Sequence, residues 1–286
     1  MTSSGRELRI VEAGDPRGAA VVVHHGTPGS GALFRPWVED AEYRGIRLIG
    51  YDRPGYGGST RDAGRTVADA AADVTAIADA LEIAHLGVWG VSGGGPHALA
   101  CAALRGGRVV AVACLASVAP YPADGLDWLD GMGEDNVTEF GMALRGPAAL
   151  EPHLEELSAG LLSANAHSIA SELRSLLSSI DAGALTGELA SYIHASMSEG
   201  LAPGVQGWLD DDLAFTKPWG FELSQISIPV LVWQGLEDRF VPPAHGEWLA
   251  AHVPGVDARL SSGDGHLTLA GRRVPEVHAW LLDRLS

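Results

Sequence analysis

One serine of the chain lies inside a run of glycines, at the point where a strand-like segment turns into a helical one. The apolar run AHLGVWGV at 84–91 predicts a buried strand, and PHALACAAL at 96–104 predicts a helix. Between them lies Ser92, with Gly90 and Gly94 two positions away on either side. A turn sharp enough to expose this serine leaves no room for larger neighbours at those two positions. The segment GVSGG therefore predicts an exposed serine hydroxyl beside the N–H groups that open a helix.

The same glycines also fit a nucleotide-binding pattern, which the rest of the sequence does not support. Gly93, Gly95 and Ala98 match the dinucleotide fingerprint G-x-G-x-x-A. Such a site needs an acidic residue about 20 positions further on to bind the ribose, whereas residues 99–123 include neither Asp nor Glu. The other common phosphate-binding loop needs a lysine among its glycines, and the sequence has no such loop. A nucleotide is therefore not the expected ligand.

Short apolar runs alternate with helical patterns at both ends of the chain. Continuous apolar strands that are separated by helices predict an α/β fold, with a mainly parallel central sheet and helices on both faces. The predicted strands are 19–25, 46–51, 84–91, 109–117, 228–235 and 256–263, and the predicted helices are 66–81, 96–104, 245–253 and 274–285.

The middle of the chain differs from both ends. From about 126 to 215 no strand-like run occurs, and helical patterns dominate. Residues 120–222 also hold 17 of the 36 acidic residues but only three of the 19 basic ones. We therefore predict an all-helical cap at 120–222, inserted between a first part of the α/β core at 1–119 and a second part at 223–286.

Net charge and the length of the apolar runs argue against nucleic acid and membrane as partners. The net charge of −17 argues against nucleic acid, because binding phosphates needs clustered Lys and Arg. The longest apolar runs fall well short of the ~18 residues that indicate a membrane span, and the first residues lack the apolar core of a signal peptide. We expect a cytoplasmic protein that acts on a small molecule, with no membrane partner; the sequence does not indicate an oligomeric state. Cys101 and Cys114 are expected to be buried thiols.

A serine nucleophile needs a base, and His266 is the candidate. For a serine on this kind of turn the partners follow in the order Asp or Glu, then His. His266 lies in the glycine-flanked loop GDGH directly after a predicted strand, where a parallel sheet presents its reactive groups. The other histidines after Ser92 fall in predicted helices or in the helical middle of the chain.

The acidic partner is expected in the loop GLEDRFVP that follows the strand at 228–235. Its carboxylate would hold the tautomer of the histidine that can accept the serine proton. Glu237 and Asp238 could both do this, and spacing alone does not choose between them. Asp264 is a weaker candidate, because it lies only two residues before the histidine.

Five segments, taken in order, resemble the α/β-hydrolase family. The resemblance implies that Asp238 rather than Glu237 is the acid, and that the backbone N–H groups of Thr27 and Gly93 form an oxyanion hole. It also implies that Asp52 and Arg53 brace the turn beneath the serine, and that neither a metal nor a cofactor is needed. The segments are HGTPGS at 25–30, YDRPGYGGS at 51–59, GVSGG at 90–94, GLEDRFVP at 235–242 and GDGH at 263–266.

The cap is expected to shape the substrate pocket. Its large apolar side chains could line that pocket or form the cap's own core, and its acidity would favour neutral or cationic substrates over anionic ones. The candidates for the lining are Trp128, Met132, Phe140, Met142, Trp208, Phe215 and Trp219.

The resemblance implies a serine hydrolase with a Ser92–His266–Asp238 triad. A serine at this turn argues against the haloalkane dehalogenases and epoxide hydrolases of the family, which have an aspartate there. We expect hydrolysis of a small neutral or cationic ester through an acyl-enzyme. Two alternatives stay open: an aminopeptidase similar to the proline iminopeptidases, and a ligand receptor built on a hydrolase scaffold.

Overall fold

A seven-stranded sheet forms the centre of the molecule. The computed structural model describes residue 2 and residues 5–285. The strand order is β1-β3-β2-β4-β5-β6-β7, with β1 antiparallel to β3 and every other neighbouring pair parallel. The mainly parallel sheet predicted from the sequence is therefore confirmed. The strands are β1 (Ile10–Gly14), β2 (Ala19–His24), β3 (Ile46–Tyr51), β4 (Leu86–Val91), β5 (Val109–Leu115), β6 (Val230–Gly235) and β7 (Asp257–Ser261).

Helices cover both faces of the sheet, as predicted. Alternate strand residues point to opposite faces, so Val22 and Val88 pack on one side while Val23 and Trp89 pack on the other. Two helices lie on the side of Trp89: α1 (Arg35–Arg44) and α11 (His266–Leu285). Three lie on the side of Val22: α2 (Ala70–Ala80), α3 (Gly94–Leu104) and α10 (Pro243–His252).

Some elements differ from the sequence-based prediction. The strand β1 and the helix α1 were not predicted; β1 is a half-buried edge strand with a charged residue, Glu12, at its centre. Helix α11 begins at His266 rather than at Val274, so Pro275 lies inside this helix and not in its first turn. His266 is thus the first residue of a helix rather than a member of a loop.

All the remaining α-helices lie between β5 and β6. We call residues 120–222 the helical segment; no strand occurs in it among the residues described, and its large buried apolar side chains belong to the core on the Val22 side of the sheet. None of the described helices of the protein is long and apolar enough to cross a membrane. The segment contains α4 (Glu134–Ala143), α5 (Pro147–Ser163), α6 (Ile169–Glu172), α7 (Ser179–Ala184), α8 (Gly187–Gly200) and α9 (Gln206–Phe215).

Candidate active site

Ser92 occupies a strained turn between β4 and α3. Its φ of 56° lies in the left-handed region, which non-glycine residues rarely adopt. A Cβ atom on Gly90 would lie 2.2 Å from the carbonyl oxygen of Gly94, and one on Gly94 would lie 2.2 Å from that of His24. Both glycines are therefore required by close backbone contacts, which is the steric reason for the GVSGG pattern.

Asp238 and His266 are in direct contact. Oδ2 of Asp238 lies 2.8 Å from Nδ1 of His266, and both side chains are buried. Asp238 is itself fixed, because its Oδ1 accepts hydrogen bonds of 2.9 Å from the backbone N–H groups of Phe240 and Val241. Its contact with Nδ1 leaves Nε2 as the ring nitrogen that can accept a proton.

The charge of Asp238 tunes the basicity of His266. Burial lowers the pKa of His266, but the charge and the hydrogen bond of Asp238, together with the charge of Asp181, outweigh burial and raise the pKa above its ordinary value. The other acidic candidates lie elsewhere: Glu237 is exposed, and the buried Asp264 accepts a hydrogen bond of 2.7 Å from Arg273. The geometry therefore pairs the histidine with Asp238 alone of the three candidates.

Thr27 and Gly93 lie against each other beside Ser92. A Cβ atom on Gly93 would come within 2.3 Å of Oγ1 of Thr27. The backbone N–H groups of both residues donate no hydrogen bond to the part of the chain that the structure describes. Two N–H groups in this position are available to an anion that forms near the serine.

A buried arginine holds the loop that carries Thr27. The guanidinium of Arg53 donates hydrogen bonds to the carbonyl oxygens of His25 and Gly26, and one of 2.9 Å to Oγ1 of Thr27. It also forms an ion pair of 2.6 Å with Asp211 of α9. This arrangement agrees with the bracing role expected of Arg53.

Asp211 was not identified from the sequence, although it connects several residues of the site. Its carboxylate pairs with Arg65 at 2.7 Å and accepts hydrogen bonds of 2.8 Å from the hydroxyls of Thr27 and Tyr56. Burial raises the pKa of Asp211, but Arg53 and Arg65 outweigh it and hold the pKa well below its usual range. Asp211 is therefore an ionised, fully buried anchor between the helical segment and the Thr27 loop.

A second acidic residue of the helical segment binds the start of α11. Asp181, in α7, accepts hydrogen bonds from the backbone N–H groups of His266 at 2.7 Å and Thr268 at 2.9 Å. The hydroxyl of Thr268 donates to the same carboxylate at 3.0 Å. Asp181 thus satisfies free donors in the first turn of the helix that carries the histidine. Nothing in the sequence around Asp181 marks it for this position.

Two cavities meet at Ser92. The larger, of about 350 Å³, is also lined by Gly93, and the smaller, of about 90 Å³, is also lined by His266. Thr27 borders both cavities. Ser92 therefore lies between a space next to the histidine and a space next to the unoccupied N–H group of Gly93.

The structure places only some of the expected apolar lining residues at these cavities. Phe140, Trp208 and Phe215 line the larger cavity. The others line neither cavity and belong to or pack against the hydrophobic core; the indole N–H of Trp128, for example, donates to the carbonyl of Ala119 at 2.8 Å. Alternation of apolar and polar residues does not separate core from cavity wall, because both surfaces are apolar. The residues outside the cavities are Trp128, Met132, Met142 and Trp219.

Comparison with known proteins agrees with this architecture. A family model described as the alpha/beta hydrolase fold matches residues 19–271. A non-heme chloroperoxidase of Streptomyces lividans is 29% identical over 269 residues, which cover 92% of this chain and 90% of that protein.

Solved structures with the same fold include several hydrolases. A thermophilic esterase from Thermogutta terrifontis has a TM-score of 0.72 at 19% identity, with coverage of 100% of this chain and 97% of the esterase. An alpha/beta hydrolase fold protein from Nakamurella multipartita has a TM-score of 0.63 at 26% identity, with coverage of 98% and 96% respectively. The match of the family model to most of the chain, together with the sheet and turn described above, shows that the chain belongs to the α/β-hydrolase family.

Proposed function

We propose that the protein is a serine hydrolase that cleaves a small neutral or cationic ester through an acyl-enzyme intermediate. The observation that carries the proposal is the 2.8 Å contact between Asp238 and His266, beside a cavity that Ser92 also lines. A hydroxyl on a strained turn, an imidazole and a buried carboxylate are the three groups that acyl transfer to serine requires.

The proposed reaction has two halves. In the first, Oγ of Ser92 attacks the ester carbonyl while Nε2 of His266 takes the hydroxyl proton, and the N–H groups of Thr27 and Gly93 bind the oxyanion. The C–O bond then breaks, and His266 returns the proton to the departing alkoxide. In the second half water attacks the acyl-enzyme by the same route, which releases the acid and restores the serine. Asp238 stabilises the imidazolium in both halves.

The two cavities suggest where each part of the ester binds. The leaving alcohol must receive its proton from His266, which lines the smaller cavity and not the larger one. We therefore assign the alcohol to the smaller cavity and the acyl group to the larger one. The helical segment contributes residues to both cavities and, on this proposal, acts as the cap that selects the substrate.

An aminopeptidase is the second candidate, and one observation favours it. The larger cavity is lined by acidic side chains, which would attract a substrate with a free amine. Such an enzyme would use the same serine, histidine and aspartate, and differs only in releasing an amine instead of an alcohol.

Turnover of two chromogenic substrates tests these assignments. We expect a short-chain nitrophenyl ester to give a burst followed by steady turnover, and Ser92→Ala to abolish both. Ser163→Ala is the matched control, because Ser163 is exposed and lies outside both cavities. Faster cleavage of a proline arylamide would favour the aminopeptidase instead. If neither substrate is turned over while both still bind, the protein is a receptor and the proposal is wrong.

A further inference from the structure

The larger cavity beside Ser92 is acidic. Among its lining residues within the described part of the chain there is neither a lysine nor an arginine. Two of its acidic residues, Glu156 and Glu172, are exposed, whereas Glu139 and Asp212 are buried. A substrate that enters this space therefore passes acidic residues near solvent and meets buried ones further in. The acidic residues of the lining are Asp135, Glu139, Glu156, Glu172 and Asp212.

Among the described residues, Asp212 has neither an N–H donor nor an ion pair with a basic side chain, and its hydrogen-bonding neighbour is the carboxyl group of Glu139. The side chain of Asp212 is 0% exposed, and neither of its oxygens accepts a hydrogen bond from an N–H group or an alcohol of the residues at 5–285. The nearby Arg65 forms its ion pair with Asp211 instead. A carboxylate that is buried without a donor or a positive charge is costly, and such a cost is offset when a ligand supplies both.

Glu139 and Asp212 share a hydrogen bond between their carboxyl groups, and Glu139 has one further partner. Its Oε1 accepts a hydrogen bond of 2.9 Å from the indole N–H of Trp208, which also lines the cavity. Burial raises the pKa of Glu139 to about 7, and burial together with the charge of Glu139 raises the pKa of Asp212 well above its usual range. The pair thus has a strong affinity for positive charge, which a proton supplies when no ligand is bound.

We propose that Glu139 and Asp212 form a subsite for an ammonium group on the acyl part of the substrate. The inference rests on the proposed function, because it takes the larger cavity as the acyl site. The location agrees with this, because Glu139 and Asp212 line the same cavity as Ser92. One substrate in this cavity could therefore present its carbonyl to Ser92 and an ammonium group to the pair. The substrate class is an ester whose acyl chain ends in an aliphatic amine.

A matched series of methyl esters tests the subsite. The cationic members carry a protonated dimethylamino group at the end of an acetyl, propanoyl or butanoyl chain. Each neutral partner has an isopropyl group in its place, so that shape and length are conserved. We expect kcat/KM of the cationic ester to exceed that of its neutral partner about tenfold or more at one chain length, because only the cation gains an ionic contact with the buried pair.

Variants assign that preference to the pair. Glu139→Gln and Asp212→Asn should each reduce the ratio of cationic to neutral kcat/KM about tenfold. Glu155→Gln is the control with the same change of charge, since Glu155 is exposed on α5 and lines neither cavity; it should keep the wild-type ratio. Thermal unfolding monitors whether each variant is folded.

The outcomes separate this inference from the proposed function. If the wild-type protein cleaves the neutral esters but prefers the cationic one at no chain length, the subsite is wrong and the hydrolase proposal stands. If the preference exists but both variants retain it, the cation binds elsewhere, and the subsite is again wrong. If no ester is cleaved, the proposed function fails and the subsite fails with it. The wild-type ratio alone can overturn the inference, so the test does not depend on the folding of a variant.

Discussion

The carboxylate of Asp181 accepts a 2.7 Å hydrogen bond from the backbone N–H of His266, across 85 residues of sequence. The first residue lies in the helical segment and the second begins the helix that follows β7. The helical segment therefore fixes the position of the histidine as well as enclosing the cavities beside it. Its second anchor, Asp211, similarly holds the loop of Thr27.

Asp181→Asn should change the pH dependence of hydrolysis as well as its rate. The proposed reaction requires neutral His266, so kcat/KM should fall as the pH drops through the pKa of this residue. The negative charge of Asp181 is one cause of the raised pKa of His266. Its removal should therefore move the acidic limb of the kcat/KM profile to lower pH, and the weaker anchoring of the ring should reduce kcat about tenfold.

The control for this variant is Asp130→Asn, which removes an exposed charge from the same helical segment. It should leave the acidic limb where it is in the wild-type protein. A purely structural role for Asp181 would lower the rate of Asp181→Asn without moving that limb, and would contradict the account.

Asp211→Asn should destabilise the fold strongly. The substitution leaves the guanidinium groups of Arg53 and Arg65 buried without their counter-ion. Breaking such a buried ion pair typically costs about 3–5 kcal/mol, which urea denaturation at neutral pH would measure. Glu188→Gln, which breaks an exposed ion pair with Arg35, should cost much less.

The buried ion pairs of Asp211 also predict how the difference in stability between the wild-type protein and Asp211→Asn depends on pH. The pKa of Asp211 is lowered in the folded protein, so its stabilisation is complete above the unfolded pKa of about 3.9. This stabilisation is lost as the pH falls through the pKa that Asp211 has in the folded protein. The gap between the wild-type protein and Asp211→Asn should therefore be constant near neutral pH and shrink only in strong acid; a gap that closes near pH 7 would argue against an ionised Asp211.

Gly93→Ala should impair catalysis with little effect on folding elsewhere. The added Cβ would approach Oγ1 of Thr27 to 2.3 Å, so the two proposed oxyanion donors must move apart. We expect kcat to fall by about 10²–10³, the usual cost of losing one such donor. Gly141→Ala is the matched control, because a Cβ there meets nothing within 4 Å. Unchanged kcat in Gly93→Ala would place the oxyanion hole elsewhere.

Two truncations test the assignment of the cavities. Ile193 lines only the smaller cavity, and Leu161 lines only the larger one. Ile193→Ala should shift the preference among alcohol groups from methyl towards butyl esters. Leu161→Ala should instead shift the preference towards longer acyl chains. The two profiles of kcat/KM against chain length distinguish these effects. If Ile193→Ala changed the acyl preference and Leu161→Ala the alcohol preference, the assignment of the two cavities would be reversed.

Much of the fold and the core of the site could be predicted from local sequence. Buried parallel strands are continuous apolar runs in the sequence. The turn at Ser92 needs glycines at two fixed positions, because a Cβ atom at either position would collide with the backbone of a neighbouring segment. His266 was found because it follows a strand at the edge where parallel strands present their loops. The choice of Asp238 over Glu237 came from family resemblance alone.

The acidic residues of the helical segment could not be sorted in the same way. Asp181, Asp211 and Asp212 are buried, whereas Asp124 and Asp130 are exposed, and all five lie in a region of similar composition. What distinguishes the buried ones is a partner or a cavity that is distant in sequence, and helical periodicity carries no information about such contacts. Local composition therefore could not distinguish the exposed acidic residues from the two buried anchors and the buried carboxylate of Asp212.

The most direct test of the account is to locate the covalent intermediate. A phosphonate that reacts with activated serines is incubated with the protein, and the modified peptide is identified by mass spectrometry. We predict one adduct per chain, on Ser92, which is absent from Ser92→Ala and forms far more slowly in His266→Ala. An adduct on any other residue, or ester turnover by Ser92→Ala at the wild-type rate, would contradict the central claim.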